Sequence, residues 1–239
     1  MGMKEVIYNF QDDLGGLFRE LILGLAAHEI GIGFMRGSPN NHVSVQLAHG
    51  AVSEPVSITA LIEKEATVRR GAVELFQNKA IARWSDLLSA LYREAVGKHL
   101  RRERNFSALK SVRVKYDFGS AIDLVSQIQD SIGHDFDFSD YKTRAAAVKD
   151  IFGFEEVGGE LAMIKKHVEI RNAIQHHGGR VHEGALRILG LGALDVVNEN
   201  GDRVKLSLGD SIDISVMEVD LLKSALYVVS NYMEAKCED

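Results

Sequence analysis

Only two prolines, Pro39 and Pro55, occur in the 239 residues. Everything from residue 56 onward is therefore free of the one residue that breaks helices outright. Such a chain can carry long helices, and hydrophobic spacing decides where they run. Over residues 12–34, Leu14, Leu17, Phe18, Leu21, Ile22, Leu25 and Ile30 supply an apolar helix face. Gly15, Gly16, Gly24, Gly31 and Gly33 weaken that helix. No strand leads into these glycines and no phosphate-loop pattern accompanies them, so close helix packing explains them better. Residues 36–53 are polar and turn-rich, with Val43, Val45 and Leu47 alternating as in a short strand or hairpin edge. We expect residues 1–53 to form a helix plus a polar loop, an extension of a helical domain over 54–239.

Residues 54–104 are expected to be helical, capped by Ser53 with Pro55 in the first turn and divided near Gly71. Val112 and Val114 alternate as in a strand, and residues 121–132 have helical spacing. Residues 133–140, GHDFDFSD, read as a loop anchored by Phe136 and Phe138, and 141–152 as a helix with 145–148 buried. A further helix is expected over 159–177. Strands at 193–197 and 203–208 flank an Asn200-Gly201 turn, with a short extended piece at 211–214. Ser215 with Glu218 three residues on reads as a capping box opening a last helix over 216–235. The fold class expected is mainly α: a helical bundle with a small β-hairpin excursion before the C-terminal helix.

A net charge of −6 argues against broad nucleic-acid binding, so a nucleic-acid partner needs a local basic surface. One is available between residues 93 and 115, where Arg93, Lys98, Arg101, Arg102, Arg104, Lys110, Arg113 and Lys115 cluster. Taken alone it reads better as a solvated helix end with cations suited to the dipole than as a phosphate-backbone contact. The single cysteine, Cys237, allows no disulfide within the chain and suggests a reducing, cytoplasmic setting. No apolar run reaches membrane-spanning length. The start turns acidic too early for a signal peptide, and Val6 stands where myristoylation wants Ser or Thr. No membrane partner is expected.

The chemistry concentrates in residues 168–181, VEIRNAIQHHGGRV. At about 100° per residue, Arg171, Asn172, Gln175 and His176 share an arc of about 140°. Leu161, Ile164 and Val168 lie on that stripe one to two turns earlier, so it is apolar at its start and polar at its end. Met163, Ile170 and Ile174 form a second apolar row. A helix apolar on two sides is usually buried between neighbours, and burying Arg, Asn and His with it is costly without partners. Gly178 and Gly179 should end it.

With Glu169 before it and HHGGRV after it, the Arg171-Asn172, three residues, His176 spacing resembles the core motif of the HEPN superfamily (higher eukaryotes and prokaryotes nucleotide-binding). The order of elements over residues 58–239 is similar to its bacterial RiboL-PSP or Apea-like type. The resemblance implies a metal-independent endoribonuclease with Arg171, Asn172 and His176 catalytic. His176 would move the proton of a ribose 2′-hydroxyl or of the leaving oxygen, Arg171 would hold the phosphate, and Asn172 would orient the ring or contact the phosphate. His177, Gln175, Glu169, Arg101, Arg102 and Arg104 are the candidate binding residues. His177 stands where related sequences often carry Asn, which leaves open which imidazole acts. One motif supplies too few groups for both acid and base, so a homodimer joining two motifs is expected. The partners implied are RNA or a nucleotide, and an antitoxin or other partner protein; no cofactor and no metal is implied. Two other classes stay open. A HEPN-like chain can bind RNA, nucleotide or protein without cleaving. His167, His176, His177 and His182 fall within 16 residues, and His177 and His182, with Glu183, could reach one ion if the glycine turn folds back, although no zinc spacing is present.

Overall fold

A computed structural model describes residues 2–107, 109 and 123–237. It is mainly helical, with eight α-helices and two small antiparallel sheets among the described residues. In chain order these are α1 (Met3–Met35), β1 (His42–Val43), β2 (Val56–Ser57), α2 (Ile58–Glu63), α3 (Glu65–Leu100), α4 (Leu124–Asp137), α5 (Tyr141–Phe152), α6 (Gly158–His176), α7 (Glu183–Leu189), β3 (Leu194–Val197), β4 (Arg203–Leu206) and α8 (Val216–Lys236). No helix is long and apolar enough to cross a membrane among the described residues. Two compact units interleave along the chain. One comprises residues 1–15, 80–169 and 221–239; the other comprises 16–79 and 170–220.

The first unit is helical throughout. Its core is built on Trp84, Leu88 and Leu91 of α3, Ile7 and Leu14 of α1, Ile164 of α6, and Leu222, Leu226 and Met233 of α8, all 1% exposed or less. Phe10 packs against the Trp84 ring at a 6.1 Å centroid separation. Asp123 and Asp140 cap α4 and α5 by accepting from the amides of Ser126 and Thr143. Residues 133–137, expected in a loop, continue α4. Gly133 does not stop that helix; its bare backbone makes room for the Arg93 side chain of α3, as Gly97 does for Gln129 of α4. Phe136 is buried and stacks on Tyr92 at 4.2 Å, whereas Phe138 is 80% exposed and lies against the His134 ring instead of in a core. In α5, Val148 is buried while Ala145 to Ala147 are not. Val112, Val114, Lys110, Arg113 and Lys115 lie outside the described residues.

In the second unit α1 contributes Leu21, Leu25 and Ile32, and α3 contributes Val73 and Phe76. Ile30, expected on the buried face, is 74% exposed, because the stripe steps from Leu25 to Ile32. The polar segment after α1 returns on itself: β1 pairs with β2, His42 opposite Ser57, and Gln46 bridges Val52. Ser57, not Ser53, is the cap, accepting from the Ala60 amide at 3.2 Å. Ser53 instead accepts from the Val45 amide inside that hairpin. The helical stretch divides at Lys64, and Gly71 lies within α3.

Strands β3 and β4 pair from Leu194 opposite Leu206 to Val197 opposite Arg203. Their turn is held by the Asn198 side chain, which accepts from the amides of Asn200 and Asp202, with Gly201 at φ +86. Residues 211–214 form no strand; only Ser211 makes a bridge, to Arg180. The expected capping box forms by half. Ser215 Oγ accepts from the Glu218 amide at 2.9 Å. Glu218, fully buried, turns its carboxylate to the Val197 amide at 2.7 Å instead of back to its own cap. Ser215 Oγ also donates to the Val197 carbonyl at 2.6 Å, so the helix start and the hairpin are tied by one pair of side chains.

Candidate functional site

The expected polar patch lies on α6, and burial along that helix changes where the chemistry of its side chains changes. Ile164, His167, Val168, Glu169 and Ile170 are all buried. From residue 171 one sector opens: Arg171 and Asn172 are half-buried, and Gln175 and His176 are exposed, while Ala173 stays 1% exposed on the other side. The helix remains regular to His176, so the four polar residues hold the arc their spacing requires. Asn172 and His176 are separated by about 40° around the axis and one turn along it, and Arg171 and His176 by about 140°.

The helix stops where the two glycines stand. Gly178 and Gly179 take φ +61 and +69, values that a Cβ would resist. The Gly179 amide donates to the Ala173 carbonyl at 3.0 Å, and the His177 amide to the same oxygen at 2.9 Å. The chain then runs antiparallel to residues 209–212. Val181 N–H donates to Asp210, Gly209 to Val181 and Ile212 to Gly179, at 2.8–2.9 Å. Arg180 adds a side-chain bond to the Gly209 carbonyl at 2.8 Å. The end of α6 is thus pinned by backbone bonds, leaving its polar side chains uncommitted.

Arg171 is the informative group. Its Nε is inaccessible to solvent and has no acceptor, and no ion pair or hydrogen bond to its guanidinium exists among the described residues. Arg69 and Arg93 also have an inaccessible Nε, but each places its terminal nitrogens on carboxylates: Arg69 on Glu29 and Glu199, Arg93 on Asp137. An unmatched Nε of this kind costs free energy in the fold, and the terminal nitrogens, which meet no carboxylate among the described residues, are where an anion from solution could bind.

Glu169, expected to contribute binding, is 7% exposed, and burial pushes its carboxyl above the ordinary range while Lys165 draws it back. His177 is exposed and its ring stacks on His182 at 3.8 Å. His182 Nδ1 accepts from the Ala185 amide at 3.3 Å and so caps α7; burial, and then the charge of His177, hold its pKa below the ordinary value. Sequence reading misses α7 and this cap because His is not among the usual capping residues. The signal is the imidazole ahead of Glu183 and the apolar run that follows. No group of three potential metal ligands forms among the described residues, so His177 and His182, although stacked, are not joined by Glu183 in an ion site.

The basic segment is less open than its composition suggests. Arg101 is committed to Glu103 at 2.6 Å, and Arg104 lies over the Phe106 ring at 5.1 Å. Arg102, at φ +61, is exposed. Comparison with known proteins adds no relative: no family model, no curated protein and no solved structure matches this chain.

Proposed function

We propose that this chain is a metal-independent endoribonuclease of the HEPN type, working in the cytoplasm as a homodimer. The observation that carries the reading is Arg171, a half-buried guanidinium without an acceptor among the described residues, on the same polar sector as half-buried Asn172 and exposed His176. A phosphodiester would meet the terminal nitrogens of that guanidinium. In the reaction the ribose 2′-oxygen forms a bond to phosphorus as its proton passes to one imidazole. The bond to the 5′-oxygen breaks, and that oxygen takes a proton from a second imidazole. The products are a 2′,3′-cyclic phosphate and a 5′-hydroxyl. His176 suits either transfer because an imidazole nitrogen can both take up and give a proton. Arg171 stabilises the charge that gathers on the phosphoryl oxygens. The second imidazole comes from a second copy of the motif, which is why a dimer belongs to the proposal.

A non-catalytic module that binds RNA or nucleotide is the second reading. It is favoured by the angle of about 140° between Arg171 and His176, which a single helix does not close onto one phosphate. Incubation with single-stranded RNA in EDTA separates the two. Cleavage leaving cyclic phosphate ends, abolished in Arg171→Ala and in His176→Ala, supports the nuclease. Binding that depends on Arg171 without cleavage supports the module. Cleavage that needs a divalent ion, or that survives both substitutions, overturns the proposal.

A further inference from the structure

Within the second unit, helix α1 buries one face and leaves the opposite face apolar as well. Leu21, Leu25 and Ile32 are buried, while Leu23, Ile30 and Phe34 are 63%, 74% and 87% exposed. With exposed Ala27 these three recur at intervals of four, three and four residues. They therefore share an arc of about 60°, directly opposite the buried row. Such spacing is the 3.5-residue repeat of a seam that another helix covers. Its flanks carry Gly24 and Gly31 on one side and Ala26 and Gly33 on the other, where a solvated seam carries charges. Glycine weakens a helix, and packing inside the chain does not require it here. A Cβ at Gly24 or Gly33 would meet nothing within 4 Å, and at Gly31 only the tip of Met35, at 3.8 Å. Between Glu20 and Arg36 the one formal charge is Glu29, which pairs with Arg69.

We infer that this face of α1 is a self-association surface, covered by the same face of a second copy running antiparallel. The stripe is its own complement. About a two-fold axis between residues 28 and 29, Leu23 lies level with the partner's Phe34, and Ala27 with the partner's Ile30, so that large meets small at the centre. Gly24 then falls beside the partner's Gly31, and Ala26 beside the partner's Gly33, which lets the two helices approach closely. Neither copy brings a charge that must be desolvated. At about 200 Å² for each large apolar side chain, Leu23, Ile30 and Phe34 expose roughly 450 Å² per copy, the size at which a patch marks an interaction site. Two copies bury about 900 Å² from these side chains, and the small residues between them bring the pair to the about 1,000 Å² that a specific interface needs. A lipid surface fits less well. A helix lying on lipid carries Lys and Arg on its polar face, and α1 has neither between Arg19 and Arg36. None of these residues belongs to α6, and the pairing does not depend on what α6 binds.

Sedimentation equilibrium of the full chain over a concentration series reads the pairing directly, and the wild type is expected to dimerise. Ile30→Glu and Phe34→Glu should each weaken the dimer at least about a hundredfold, because every pair then buries two unmatched carboxylates. Both positions are exposed in the single chain, so helix content by circular dichroism should hold. Phe138→Glu, at an equally exposed aromatic outside α1, should leave the dimer intact. Register is read by cross-linking in a Cys237→Ala background. Leu23→Cys chains mixed with Phe34→Cys chains should form a disulfide with each other. Neither should couple to its own kind, since like positions lie about 16 Å apart along an antiparallel pair. The inference is overturned if the wild type stays monomeric, if the glutamates leave the dimer intact, or if Phe138→Glu breaks it equally. Coupling of like to like, or partition of the wild type onto anionic vesicles in place of pairing, overturns it too. RNA cleavage is scored in its own assay, so pairing through α1 and the nuclease reading can fail separately.

Discussion

Replacing Arg171 by methionine should make the protein more stable, not less. Methionine keeps the length and apolar stem of the side chain and removes the guanidinium. The wild-type residue holds an Nε that neither solvent nor an acceptor reaches. Leaving a buried donor unmatched costs about 1–3 kcal/mol. Arg171 is only half-buried, so its terminal nitrogens remain partly hydrated and the lower end applies, about 1 kcal/mol. For a chain of this size that corresponds to a rise of about 2–4 °C in melting temperature. Arg69→Met is the control. Its Nε is equally inaccessible, but its terminal nitrogens meet Glu29 at 2.5 Å and Glu199 at 3.3 Å. Those pairs are partly exposed, so the control should lose up to about 1 kcal/mol. The two substitutions thus move stability in opposite directions in one urea or thermal series. If Arg171→Met instead loses about 2 kcal/mol or more, as core truncations do, Arg171 is structural and the reasoning fails.

Other outcomes follow from the same structure. Glu218→Ala removes the acceptor of the Val197 amide at a fully buried site and should cost about 1.5–3 kcal/mol in urea melts; Ser215→Ala, losing one cap, should cost about 1 kcal/mol. His182 has its pKa depressed in the fold, so its contribution is complete above the ordinary value of 6.5 and is lost as pH falls through the folded pKa. His182→Asn keeps a capping side chain and should flatten the acid side of a stability-versus-pH curve. Glu169 is raised instead, so ionising it in place opposes folding. Glu169→Gln should therefore raise the melting temperature at neutral pH and have no such effect in acid. An equal effect at both would refute a buried, ionised carboxylate.

Much of the fold is legible where hydrophobic spacing and punctuation agree. The helix over 141–152 lies as its spacing predicts, and α6, the β3–β4 pair and α8 fall within a few residues of expectation. Reading fails where one signal has two physical meanings. Gly133 resembles a helix stop but is a gap for Arg93. The helix expected from residue 12 begins at Met3, because Met3, Ile7 and Phe10 extend the same buried stripe. The candidate site is legible as a constellation: one helix face, polar at its end, closed by two glycines. Its electrostatic state is not, because whether an arginine finds a carboxylate depends on distant segments. Nothing in the residues near Arg69 or Arg171 tells that Glu29 and Glu199 serve the first while the second is left without a partner.

The central claim is that Arg171 is held open for a phosphate from solution. The most direct measurement is the affinity of the wild type and of Arg171→Met for a single-stranded RNA whose 2′-hydroxyls are blocked, so that binding is read apart from cleavage. The account predicts at least about tenfold weaker binding by the variant, with a shallower dependence on salt and no loss of folded protein. Equal affinity and equal salt dependence for the two proteins would contradict it.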